Sequence, residues 1–77
     1  MNTKWARFIY VSNETSNNDE GWVAIELVRR RGSFSELIAR VVYWDASGFA
    51  LEMFIREIPL VIIEELIAEA KSRIKTR

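Results

Sequence analysis

Four stretches of this chain are rich in β-branched and aromatic side chains, and in each of them both alternating sets carry apolar residues. A sheet in a small protein ordinarily hides one face under a helix and wets the other. Here the second face also carries aromatics, with Trp5, Trp22, Phe34, Trp44 and Phe54 as the candidates. A surface of that kind meets something: a second copy, a different protein, or stacked bases.

The first strand is expected over residues 5–11. Two alternations stay open there, with either Ala6, Phe8 and Tyr10 or Trp5, Ile9 and Val11 turned inward. Residues 12–21 are polar apart from Gly21 and predict a mobile loop. Residues 22–30 predict a second strand, with Val23, Ile25 and Leu27 on one side and Trp22, Ala24, Glu26, Val28 and Arg30 on the other. Arg31 and Gly32 mark the turn that follows.

Residues 34–44 fit two periods. As a helix, Phe34, Leu37, Ile38 and Val41 make a stripe, and Ser33 with Glu36 supplies a capping-box pattern. As a strand, Leu37, Ala39, Val41 and Tyr43 share one face, and Phe34, Glu36, Ile38, Arg40, Val42 and Trp44 share the other. The run Val41-Val42-Tyr43-Trp44 has poor helix and good strand preference, which favours the strand. Asp45-Ala46-Ser47-Gly48 is a turn signal. Residues 49–56 then predict a fourth strand, with Phe49, Leu51, Met53 and Ile55 opposite Ala50, Glu52, Phe54 and Arg56.

Pro59 opens a helix, where its missing N–H costs nothing. Leu60, Ile62, Ile63, Leu66, Ile67, Ala70 and Ile74 form its apolar stripe. Lys71, Arg73, Lys75 and Arg77 gather at the negative end of the helix dipole. The expected architecture is α+β: a four-stranded antiparallel meander followed by one C-terminal helix packed on one face, ββββα, as a single small domain over residues 1–77.

A domain of this length buries only about 60% of its unfolded surface. Disulfides, a metal or oligomerisation usually compensate. The chain has no cysteine and no histidine, which removes disulfides and thiolate or imidazole metal sites. A homo-oligomer, a dimer or higher, is the expected compensation. Eleven basic and eleven acidic residues cancel, so strong attraction to duplex nucleic acid or to an anionic membrane is not indicated. The longest apolar run, Ile58 to Ile63, is too short to span a bilayer. With no long apolar stretch after Met1-Asn2-Thr3-Lys4, a cytoplasmic location is expected. Asn13-Glu14-Thr15 matches a glycosylation sequon, which in that location reads as a polar loop.

Catalysis is not expected. The commonest general base and the best nucleophile are absent, and Ser33, Ser35 and Ser47 lack a nucleophile-elbow context. Gly21, Gly32 and Gly48 are isolated turn residues and form no phosphate loop. Asp19, Glu20, Glu64 and Glu65 read as solvated carboxylates, so no cofactor and no metal are expected.

The candidate site is the sheet face without the helix, where Trp22, Trp44 and Phe54 stand with Arg30, Arg40 and Arg56. Aromatics beside arginine suit single-stranded nucleic acid, because every base offers a π-face and guanidinium groups track phosphates. Arg29-Arg30-Arg31 at a hairpin end either clamps a backbone or is a solvated turn. The same residue types are enriched at protein interfaces. Glu26, Glu36 and Glu52 on that face would pair with the arginines and repel phosphates. The leading expectation is therefore a non-enzymatic interaction domain that homo-oligomerises through the helix-free face. The alternatives are a single-stranded DNA or RNA binder and an inhibitor or antitoxin subunit for a protein partner.

The segment Leu37-Ile38-Ala39-Arg40-Val41-Val42-Tyr43-Trp44-Asp45 followed by Gly48, in a ββββα layout, resembles the positive-cofactor and PUR-type single-strand-binding domains. That resemblance implies a dimer gripping unpaired strands on its sheet; the neutral charge of this chain departs from those families. Tyr43-Trp44-Asp45, with Ile58-Pro59-Leu60 before a helix, resembles HicB-like antitoxin modules, which implies a protein partner.

Overall fold

The computed structural model describes residues 9–75. Strands β1 (Ile9–Asn17), β2 (Trp22–Arg31), β3 (Phe34–Trp44) and β4 (Gly48–Met53) precede one helix, α1 (Leu60–Arg73). The strands form one sheet in the order β1-β2-β3-β4, with every neighbouring pair antiparallel. This is the expected ββββα meander, and residues 34–44 are extended rather than helical. Of the residues expected in the first strand, Trp5, Ala6, Arg7 and Phe8 lie outside the described residues, as does Arg77 beyond the helix.

The expected loop over 12–21 is a correction. Residues 12–17 continue β1, pairing from Ser12↔Leu27 to Asn17↔Trp22. A ladder needs backbone groups rather than apolar side chains. The side chains on the helix side find polar partners on α1. The Ser12 hydroxyl donates to Glu69 Oε2 at 2.5 Å, Arg73 Nη1 donates to the same oxygen at 2.6 Å, and Arg73 Nη2 stands 3.7 Å from Glu14 Oε1. The connection shrinks to a tight turn in which the Gly21 N–H donates to the Asn17 carbonyl at 2.9 Å, with Gly21 at φ 77°. The open choice of alternation also closes: Tyr10 packs against the core, and Ile9 and Val11 point to the helix-free side.

A β-bulge corrects β3. Leu27 faces Ala39 but Val28 faces Leu37, so Ile38 is one residue too many for its partner strand. The surplus residue inverts the alternation of everything before it. Glu36 comes opposite Arg29 and Phe34 opposite Arg31, on the helix side. Arg29 Nε donates to Glu36 Oε1 at 2.5 Å there. Ile38 is fully buried in the core cluster with the helix residues. Leu37 takes the place on the helix-free face expected of Ile38.

The helix packs chiefly on β2 and β3. Ile63, Leu66, Ala70 and the following Ile74 meet Ile25, Leu27, Ala39 and Val41, and a side chain such as Leu66 contributes about 2 kcal/mol by leaving water. Pro59 is the N-cap, and its carbonyl accepts from the Ile62 and Ile63 N–H groups at 3.0 and 3.3 Å. Lys71 and Arg73 occupy the last turn, as the dipole favours. Leu60, expected in the buried stripe, is exposed. β4 ends at Met53, not at residue 56. The chain then bends so that Ile55 and Ile58 reach the core.

Candidate interaction surface

The helix-free face has two unlike halves. In the first, three cross-strand rows follow one another: Trp22↔Trp44, then Ala24↔Val42, then Glu26↔Arg40. The two indole rings lie with centroids 6.3 Å apart at 55°, a tilted pair of the favourable kind. Arg40 reaches diagonally over the middle row until its guanidinium carbon sits 4.8 Å from the Trp22 ring centroid, which is cation–π distance. Its Nε also donates to Glu52 on β4, the two forming an ion pair. Ala24 and Val42, in the row that Arg40 crosses, are fully buried although no helix covers this side. Trp22 Nε1 donates to Glu20 Oε1 at 2.8 Å. Both the arginine and the indole N–H therefore have acidic partners within the chain.

The second half, beyond the bulge, is open, with apolar rows that end at the exposed Arg30. The rows here are Val11↔Val28 and Val28↔Leu37, with Ile9 facing Arg30. Ile9 and Leu37 are exposed. The Phe54 N–H donates to the Ile38 carbonyl at 2.9 Å just past the end of β4, and its ring is exposed.

Of the six candidate residues, Trp22, Trp44 and Arg40 come together. Arg30 lies on the same face two rows beyond Arg40. Phe54 and Arg56 follow β4 rather than belonging to it. Phe34, expected on this face, is on the other side. The three arginines at the β2 end do not act as one clamp either, because Arg29 turns to the helix side and pairs with Glu36.

Sequence patterning missed a third surface. Phe49, Leu51 and Met53 face Tyr43, Val41 and Ala39 on the helix side, as expected, but all three are exposed. The signal was dimensional. A helix about 10 Å wide cannot roof four strands spaced about 4.8 Å apart. Here α1 packs chiefly over β2 and β3, leans its polar flank on β1, and leaves Phe49, Leu51 and Met53 of β4 partly open, the Phe49 ring resting edge-on against Tyr43 at 5.0 Å.

Two titrating groups report the helix–β1 contact. Hydrogen bonds from Ser12 and then Arg73 hold the Glu69 carboxyl below the ordinary glutamate value. Burial raises the Tyr10 phenol, and Arg29 across the strand pair partly offsets it. The Tyr10 hydroxyl is buried with no hydrogen-bond partner at normal geometry. Among the described residues, no three His, Cys, Asp or Glu side chains are grouped to hold a metal ion, and no helix is long and apolar enough to cross a membrane.

Comparison with protein-family models, with curated proteins and with solved structures finds no match to this chain.

Proposed function

We propose that this protein is a non-enzymatic interaction module that works as a homo-oligomer, associating through apolar surface around β4. The observation that carries the reading is the row of exposed large apolar side chains on one side of the strand, Phe49, Leu51 and Met53, with Phe54 exposed just past its end. Single exposed apolar residues are ordinary, but a contiguous group marks an interaction site. The absence of cysteine and histidine from so short a chain points the same way. Light scattering coupled to size exclusion at micromolar concentration should give at least twice the 9.0 kDa chain mass. A 9.0 kDa species under those conditions would refute the proposal.

A second reading is a single-strand nucleic-acid binder centred on Trp22, Trp44 and Arg40. What supports it is that these three do assemble, half-buried, on the helix-free sheet face. Against it stand Glu20 and Glu52, which already engage the indole and the guanidinium. This reading expects oligonucleotides to quench tryptophan fluorescence in a salt-sensitive way; no quenching at low salt by any base composition would remove it.

A further inference from the structure

We propose that the partner is a second copy of this chain, joined edge to edge through β4 so that two four-stranded sheets become one eight-stranded antiparallel sheet. This rests on the homo-oligomer reading above and specifies its geometry.

The two outer strands are guarded differently. An unpaired edge is a template for another strand unless charge, proline, a bulge or a covering element blocks it. β1 carries Ser12 and Glu14 under the Glu69–Arg73 flank of α1. β4, Gly48-Phe49-Ala50-Leu51-Glu52-Met53, has a single charge, and that carboxylate is tied back to Arg40 within its own sheet. Nothing on the strand repels a copy of itself, and the zero net charge of the chain adds no long-range repulsion.

Symmetry then selects the register. A two-fold axis normal to the sheet carries helix side onto helix side, so facing residues must share parity. With the axis at Leu51, Leu51 meets Leu51, Phe49 meets Met53, and Ala50 meets Glu52. The small Ala50 leaves room for the Glu52–Arg40 pair. On the helix side, six apolar side chains from two strands join into one trough, with a copy of α1 along each bank. Leu60 falls on the flank of α1 opposite Glu69 and Arg73, beside that trough.

The area is adequate. Phe49, Leu51, Met53 and Leu60 remain 37, 43, 43 and 71% exposed. At roughly 200 Å² per large free side chain, that is about 400 Å² per copy. Adding Phe54, 51% exposed, and the open backbone edge brings each copy to roughly 600 Å² if all of it is covered, the lower bound of specific interfaces.

The chain contains no cysteine, so one introduced thiol is unique. Under a mild oxidant, Leu51→Cys should cross-link to itself as a covalent dimer, whereas Leu37→Cys on the other face should not. Leu51→Glu, which puts two carboxylates on the axis, should weaken dimerisation by roughly a hundredfold or more while the circular-dichroism spectrum stays that of the unaltered chain. If the unaltered protein is oligomeric but Leu51→Cys stays uncross-linked and Leu51→Glu keeps the full mass, edge pairing is overturned and self-association through another surface survives. If the unaltered protein is itself a monomer, both proposals fall.

Discussion

The two edges of this sheet solve the same problem in opposite ways. From Ser12 to Asn17, β1 is written entirely in polar residues, yet it holds its place in a ladder of nine backbone pairs and through a set of side-chain bonds to the helix. β4 is written mostly in apolar residues, yet its large side chains remain exposed. The difference follows from where α1 lies. Its polar flank rests over β1, where polar residues gain partners, and its width runs out before β4. Hydrophobicity alone does not place a strand in a core; the reach of the covering element does.

The largest effect should come from loosening the element that separates the two edges. Leu66→Ala, at a site 2% exposed under the sheet, should cost about 2–5 kcal/mol in urea denaturation, and the loss should reach both edges alike. Next, Leu51→Glu should weaken self-association by roughly a hundredfold or more while shifting monomer stability by no more than about 0.5 kcal/mol; a comparable loss of fold stability would mean that β4 is already covered. Third, Glu69→Gln should cost about 0.5–1.5 kcal/mol and speed hydrogen exchange in β1 but not in β4. Equal effects on both strands would erase the contrast. The smallest effect is acid sensitivity. The Glu69 carboxyl is depressed in the folded chain, so the unfolded chain takes up its proton first as pH falls. The contribution is therefore complete above the ordinary glutamate value and fades as pH drops through and below it. A urea titration should show that fading in the parent chain and none of it at this site in Glu69→Gln; because the group is partly exposed, about 0.5 kcal/mol is the expected scale.

Much of the fold was legible. The helix announces itself through its stripe and Pro59, and the β-branched run Val41–Trp44 correctly outweighs the helical period before it. Residues 12–17 were illegible as a strand because their partners, Glu69 and Arg73, lie more than fifty positions away, and no local window contains both. The bulge was illegible for another reason: Ile38 is as good a strand residue as its neighbours, and nothing in its chemistry says that it is surplus. That one miss carried Phe34 and Ile38 to the wrong face and hid Leu37. The meeting of Trp22, Trp44 and Arg40 was legible from alternation, since all three lie on the same side of the bulge. Their internal neutralisation by Glu20 and Glu52 was not, because rotamers decide it.

The extra residue at Ile38 also acts as a stop against sliding. Two plain ribbons can creep past each other in steps of two and still match inside with inside. A ribbon with one unmatched link closes over its partner in a single alignment, because any creep would drag the kink out from beneath the helix and leave a hole where Ile38 sat. Strands two and three should thus zip together in one way only, and the rest of the molecule inherits its alignment from that catch.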